Sequence, residues 1–157
     1  MCDRMKKGER LFLIALLVVV CLGIWVLWGN AALEVNEFEV ESERIPGSFD
    51  GFRIAQISDL HNAQFGDGNI KLLGLLVQSE PDIIVITGDM IDSRHTDVGI
   101  ALDFARQAVK IAPVYYVPGN HESRVVEYET LKKGLIEAGV EVMENRKVRI
   151  DCEGEYI

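Results

Sequence analysis

The chain begins with a long apolar stretch. Residues 11–28 read LFLIALLVVVCLGIWVLW and contain no charged side chain. A helix of that length spans about 27 Å at ~1.5 Å per residue, which is close to the thickness of the hydrocarbon core of a bilayer. The stretch therefore predicts a transmembrane signal-anchor helix.

Charges on either side of this helix predict its orientation. The tail at 1–10 carries four basic residues, whereas 34–43 carries five glutamates. Positive charge favours the cytoplasmic side, so we expect a single-pass protein of the cell membrane with a cytoplasmic N-terminus. Everything after Trp28 would then be extracytoplasmic, with Trp25 and Trp28 at the outer interface.

A cleaved signal peptide is the alternative, since WGNAAL offers small residues at Ala31 and Ala32. The apolar run is longer than the usual 7–15 residues of such peptides, which favours an uncleaved anchor. Cys21 follows Val20, where a lipid-attachment signal needs a small residue, so a lipoprotein is disfavoured.

Residues 29–51 are predicted to form an acidic linker with a leading strand. In LEVNEFEVE at 33–41 apolar residues alternate with acids, which is typical of a half-exposed strand. The turn IPGSFDG then precedes the main body.

The main body, residues 52–157, alternates short apolar runs with helical periodicity. Strands are predicted at 52–58, 82–88 and 113–119, and helices at 69–79, 97–110 and 126–139, the last closed by Gly139. A further strand is predicted at 140–143, and the first half of a hairpin at 147–151. This order predicts an α/β fold with a parallel βαβαβα sheet, whose function lies at the carboxyl ends of the strands.

Net charge and cysteine spacing argue against nucleic-acid binding and against a disulfide or zinc framework. The formal net charge is −9, and because 1–10 contribute +2 the rest of the chain carries −11. Nucleic-acid binding needs clustered Lys and Arg, so it is disfavoured. Cys2, Cys21 and Cys152 are widely spaced and indicate neither a disulfide framework nor a structural zinc site.

Polar side chains follow each of the three predicted main strands. The motifs are Ser58-Asp59-Leu60-His61, Gly88-Asp89-Met90-Ile91-Asp92 and Gly119-Asn120-His121-Glu122. Any one of them could be a cap or a turn, but together they place carboxylate, imidazole and amide groups at one edge of one sheet. Such a set suits a pair of divalent ions with a bridging carboxylate.

These motifs resemble those of the calcineurin-like metallophosphoesterases, in the family's order and in strand context. The resemblance runs from about Phe52 onward and implies the first half of an α/β/β/α sandwich. The membrane-anchored start is similar to a bacterial subgroup of phosphodiesterases that work outside the cytoplasm.

The resemblance implies a role for each matched residue. Asp59 and His61 would bind one metal, Asp89 would bridge two, and Asn120 would bind the second. His121 would be the catalytic group near the leaving oxygen, oriented by a hydrogen bond to Asp92. The metals could be manganese, iron or zinc. Glu122 is interpreted as a cap of the next helix, and His95 as a solvated loop residue.

The family completes its site with a further His and a G-H-x-H motif, whereas this chain has three histidines in all. We therefore expect the domain at 52–157 to be C-terminally incomplete and to expose one face of its sheet. The implied function is a membrane-anchored phosphoesterase, inactive or weak in this form, acting on a phosphate ester that could be lipid-linked or from the cell envelope. The alternative is a non-catalytic half-domain that binds a partner or a single metal at the membrane surface.

Overall fold

A computed structural model describes residues 7–31 and 33–157. The chain divides into two units, residues 1–35 and 36–157. Most of the predicted cytoplasmic tail, the side chain of Trp28 and the possible cleavage residue Ala32 lie outside the described part.

The first unit contains one long helix, α1, at Lys7–Ala31. Within it, Lys7–Val26 is long and apolar enough to cross a membrane by length and composition. Its apolar side chains are exposed all round, including Trp25 at 68%. A helix that is apolar on every face suits a lipid environment, and the predicted span at 11–28 lies inside α1.

The predicted leading strand at 33–41 is wrong. Residues 33–42 form no regular secondary structure, and Phe38 is 88% exposed. Alternating side chains are compatible with a strand, but a strand forms only where a neighbouring backbone pairs with it. A short 3-10 turn at Gly47–Phe49 then leads to the sheet, with Phe49 buried.

The second unit is built on a parallel four-stranded sheet. Its strands are β1 (Ile54–Ile57), β2 (Ile83–Ile86), β3 (Val114–Tyr116) and β4 (Glu141–Val142), in the order β1-β2-β3-β4. Three helices connect them, α2 (Ile70–Ser79), α3 (Val98–Ala108) and α4 (Tyr128–Glu137). The predicted α/β fold is confirmed, and each of these strands and helices lies within its predicted range but is shorter, with α2 ending at Ser79 as predicted.

The helix ends follow local chemistry. Asp97 caps α3 by accepting hydrogen bonds from Gly99 N and Ile100 N. After α4, Gly139 has a φ of +94°, and Val140 N donates back to Leu135 O at 2.9 Å. This is a Schellman ending, which favours glycine because of the left-handed backbone, as predicted.

The core lies on one face of the sheet. Alternate strand positions, among them Ile57, Ile84, Ile86 and Tyr116, join side chains from all three helices in one buried cluster. The other face is partly open, since Ile54 remains 53% exposed and Val117 46%. The expectation that one face of the sheet is exposed is therefore confirmed at these two residues.

The C-terminal hairpin differs from the prediction. Strands β5 (Asp151–Cys152) and β6 (Glu155–Tyr156) pair antiparallel, so the hairpin lies within 150–157 rather than beginning at 147. Glu153 and Gly154, with φ of +49° and +89°, form its two-residue turn. That backbone is typical of a type I′ hairpin.

Candidate metal centre

The loops after β1 and β2 run side by side. Backbone hydrogen bonds join Asp59 N to Gly88 O, His61 N to Asp89 O and Asn62 N to Met90 O, at 3.2, 2.9 and 3.0 Å. The pairing of the parallel strands thus continues past their ends, which brings the first two motifs together.

The loops after β2 and β3 touch through their glycines. A Cβ on Gly88 would lie 2.7 Å from Gly119 Cα, and one on Gly119 would lie 2.2 Å from Asp89 Oδ1. No larger residue fits either position without movement of the backbone. The close approach lets His121 N donate to Asp89 Oδ1 at 2.8 Å.

Asp59 and His61 approach each other at the end of β1. Asp59 Oδ1 lies 3.6 Å from His61 Nε2, while Asp59 Oδ2 accepts a hydrogen bond from Ser58 Oγ. The buried Nδ1 of His61 has no hydrogen-bond partner among the described residues. Two atoms that bind one ion at about 2.1 Å lie ~3.0–3.5 Å apart, so this spacing is close to that of two ligands on one cation.

Asn120 and Asp89 form a second close pair. Without a cation, the favourable side-chain orientation has the Asn120 amide nitrogen donating to Asp89 Oδ2 at 3.2 Å. In that orientation the carbonyl oxygen of Asn120 accepts from His121 N at 3.3 Å. With the amide reversed, two oxygen ligands face each other at a spacing that a cation between them would stabilise.

His121 is oriented by the backbone. Ser93 N donates to His121 Nδ1 at 3.0 Å, and the imidazole rings of His121 and His61 meet edge to face at 4.4 Å between centroids. Because Nδ1 accepts a hydrogen bond, the proton of neutral His121 is on Nε2.

The predicted hydrogen bond between Asp92 and His121 is not formed in this geometry. Asp92 Oδ1 lies 3.7 Å from His121 Nδ1 and instead accepts from Arg94 N at 2.8 Å. That backbone hydrogen bond, aided by the nearby histidines and opposed by partial burial, lowers the pKa of Asp92. Asp92 is therefore a negative charge beside the imidazole rather than its hydrogen-bond acceptor.

Comparison with known proteins decides the family. The sequence profile of the calcineurin-like phosphoesterases matches residues 52–152, which is more than half of the chain. The chain belongs to the calcineurin-like phosphoesterase family. Membership implies a hydrolase family that typically binds divalent metals, and the matched range contains all three motifs.

Curated relatives include membrane proteins. "Transmembrane protein with metallophosphoesterase domain" of Danio rerio is 26% identical over 145 residues, covering 90% of this chain and 33% of that protein. Its Bos taurus counterpart is 29% identical over 158 residues, covering 98% and 35%. The uncharacterized metallophosphoesterase YkuE of Bacillus subtilis is 42% identical over 66 residues, covering 41% and 23%. The chain spans about a third of the two vertebrate relatives.

Calcineurin-like phosphoesterases need ligand atoms that converge, and the structure brings such atoms together. One ligand atom from each of His61, Asp89 and His121 lies within 4.8 Å of the others. Asp59 and Asn120 flank this group, since they contact His61 and Asp89 respectively. The residues present therefore fit a divalent-metal site.

The sequence interpretation missed two contacts. Glu122, interpreted as a helix cap, is fully buried, and its carboxylate accepts hydrogen bonds from the loop after β2. Asn62 donates from Nδ2 to His95 O at 2.5 Å and so joins the loops after β1 and β2 a second time. The one sequence feature that could have indicated this role of Glu122 is its position directly after the third loop motif. The side chain of His95 is exposed, as expected.

Proposed function

We propose that this chain is a membrane-anchored, divalent-metal-dependent phosphoesterase that hydrolyses phosphate esters. The observation that carries the proposal is the pairing of ligand atoms at the ends of β1, β2 and β3. Asp59 with His61, and Asp89 with Asn120, form two adjacent pairs at 3.6 and 3.2 Å. Two pairs, each containing a carboxylate, suit two ions rather than one.

Each residue has a distinct role in this proposal. Asp59 and His61 would hold one ion, Asp89 would contact both, and Asn120 would offer its carbonyl oxygen to the second. Bound divalent ions would supply Lewis-acid polarisation of the phosphate and a water activated for attack. Manganese, iron and zinc all suit this mixture of oxygen and nitrogen ligands.

His121 serves as a proton donor rather than as a metal ligand. Its Nδ1 accepts from Ser93 N, so a neutral ring carries its proton on Nε2, the atom that a metal would need free. The donating form is the imidazolium, which would lose its Nε2 proton to the leaving oxygen of the ester and become a neutral ring with its proton on Nδ1. Asp92, 3.7 Å away, would stabilise His121 when it is positively charged.

The membrane supplies the setting of the proposed activity. The span at Lys7–Val26 supports an anchor, and the two vertebrate relatives are named as transmembrane proteins. With basic residues before the span and acidic ones after it, the catalytic unit lies outside the cytoplasm at the cell membrane. A lipid-linked or cell-envelope phosphodiester would meet the site there.

A non-catalytic metal-binding half-domain is the second candidate, and one observation favours it. The chain has three histidines, of which His121 is assigned here as a proton donor and His95 has an exposed side chain, so His61 is the one imidazole ligand that the described residues supply. Such a module would bind metal without turnover.

Hydrolysis by the full chain in detergent micelles separates the two candidates. With Mn²⁺, a nitrophenyl phosphodiester should be hydrolysed slowly, and Asp89→Asn should abolish the reaction. Asp103→Asn, an exposed carboxylate paired with Arg106 on α3, is the control and should have no effect. Mn²⁺ binding without any hydrolysis would favour the binding module, and equal rates for wild type and Asp89→Asn would contradict the role of Asp89.

His121→Asn tests the proton donor in the same assay. A nitrophenolate leaves without a proton, so its release should change little. An alkyl phosphodiester needs protonation of its leaving oxygen, and its hydrolysis should slow by about 10²–10⁴-fold. Equal slowing of both substrates would contradict proton donation by His121.

A further inference from the structure

Glu122 is a fully buried carboxylate whose two oxygens both accept hydrogen bonds from backbone N–H groups. Its side chain is 0% exposed, yet it follows directly after the residues that line the site. Oε2 accepts from Asp89 N at 2.9 Å and from Gly119 N at 2.8 Å, and Oε1 accepts from Ile91 N at 3.2 Å.

The three donors belong to two different loops. Asp89 and Ile91 follow β2, whereas Gly119 follows β3, so one side chain joins the backbones that carry two of the three motifs. Hydrogen bonds to a charged acceptor are about twice as strong as those between neutral groups. An isolated buried carboxylate is costly, and three N–H groups offset that cost.

The contact falls where the backbone is most constrained. Asp89 has a φ of +51°, a left-handed backbone conformation that is unfavourable for a non-glycine residue. Its neighbour Gly88 approaches Gly119 so closely that neither position accepts a side chain. The hydrogen bond that Asp89 N donates to Glu122 holds the strained residue itself, and the one that Gly119 N donates holds the other side of the glycine contact.

Glu122 is poorly placed to bind a cation, because its oxygens already accept N–H groups and it is buried behind the loops. Its effect on the site would therefore pass through Asp89 and through the loop that carries Asn120. Metal-site residues that act through a ligand typically change metal affinity by about 10–100-fold.

We propose that Glu122 is a positioning residue whose carboxylate sets the loops after β2 and β3 in ligand geometry before any cation binds. The consequence for metal affinity rests on the proposed function. The link that Glu122 makes between the two loops does not, since its three hydrogen bonds involve only protein groups.

The first arm of the test measures the link between the loops without metal. In the ¹⁵N-labelled full chain in micelles, the amides of Asp89, Ile91 and Gly119 should exchange slowly with solvent although they lie in loops. Glu122→Gln replaces one acceptor oxygen with an N–H₂ group that faces a backbone N–H. These amides should then exchange at least about tenfold faster. Unprotected amides in the wild type would overturn the proposal.

The second arm measures Mn²⁺ affinity by calorimetric titration of the same samples. Glu122→Gln should weaken binding by about 10–100-fold. Glu144→Gln is the matched control, because Glu144 is also a hydrogen-bonded carboxylate but its partners are the side chains of Tyr128 and Lys132 rather than the N–H groups of the loops. It should change neither the three amides nor Mn²⁺ affinity.

The outcomes separate this proposal from the proposed function. If Glu122→Gln speeds amide exchange but leaves Mn²⁺ affinity unchanged, the positioning role is overturned and the proposed metal site is not. Protected amides in a wild-type chain that binds no Mn²⁺ would overturn the proposed function and confirm the link that Glu122 makes between the loops.

If Glu122→Gln does not fold, Glu122→Asp provides a second variant that keeps the charge on a shorter side chain. Faster amide exchange and weaker Mn²⁺ binding should both appear, each with a smaller magnitude. If Glu122→Asp speeds exchange but binds Mn²⁺ as tightly as the wild type, the positioning role of Glu122 is overturned.

Discussion

At the scale of single residues, backbone conformation determines what the site can hold. Asp59, His61 and Asp89 all have positive φ, at 56°, 47° and 51°. Each such conformation costs about 1–3 kcal/mol and persists only where the surroundings impose it. Here the pairing of the loops after β1 and β2 and the buried carboxylate of Glu122 impose it, so the ligand side chains are directed by a fixed backbone.

Gly119 provides a test of that fixed backbone. Gly119→Ala would place a Cβ 2.2 Å from Asp89 Oδ1, and the collision should destabilise the chain by about 1–3 kcal/mol. Gly74→Ala is the control, since nothing lies within 4 Å of its Cβ in α2 and alanine favours a helix by about 0.5–1 kcal/mol. Chemical unfolding of the three chains measures both effects. A Gly119→Ala chain as stable as wild type would contradict the close loop contact.

The positions of the motif residues could be predicted from sequence, whereas their contacts could not. Parallel strands end at one edge, so polar residues after each strand had to converge, and they do. The group that donates to His121 Nδ1 is the backbone N–H of Ser93, and no pattern in the sequence identifies which backbone group a ring will meet. The same reason explains why the predicted hydrogen bond between His121 and Asp92 is absent.

At the scale of elements, side chains fix the end of β4 to α4. Glu144, just after β4, accepts hydrogen bonds from Lys132 and Tyr128 of α4. These bonds lower the pKa of Glu144, with Lys132 the larger cause, and the bond to Glu144 raises the pKa of Lys132. Both groups are therefore charged over a wide range of pH.

The stabilising effect of this contact should depend on pH. A carboxylate whose pKa is lower in the folded chain stabilises the fold above its unfolded pKa, and the effect is lost as pH falls through the folded pKa. Glu144→Gln should therefore lower Tm by about 1–4 °C at pH 7. At a pH below both pKa values the difference should vanish.

Glu137→Gln is the control for this prediction, because Glu137 forms only an exposed 3.9 Å pair with Lys133. Its Tm at pH 7 should match wild type, since exposed pairs contribute little. A Glu144→Gln deficit that persists unchanged at low pH would contradict the electrostatic account.

Elements with strong local signals could be predicted, and those that need a partner could not. Asp97 and Gly139 marked their helix ends because capping is a local interaction. The acidic alternation at 33–41 predicted a strand that does not form, because pairing requires a neighbour that the pattern does not specify. The hairpin forms at 150–157 instead of beginning at 147, because Glu153 and Gly154 provide the turn.

At the scale of the whole molecule, the proposed anchor and the phosphoesterase domain are separate parts of the chain. The full chain should sediment with liposomes and resist carbonate extraction, and deletion of 11–28 should release it, because that deletion removes the apolar helix. Intact mass of the membrane-bound protein tests cleavage. Retention of the first 31 residues is expected, and their loss would favour the signal-peptide alternative.

The central claim is that the loops after β1, β2 and β3 form a divalent-metal site, and Mn²⁺ titration of the full chain in micelles tests it most directly. The wild type should bind Mn²⁺, and Asp89→Asn should weaken binding by more than the about 10–100-fold typical of residues behind a ligand. Asp103→Asn should bind as the wild type does. Failure of the wild type to bind, or equal affinity in Asp89→Asn, would contradict the claim.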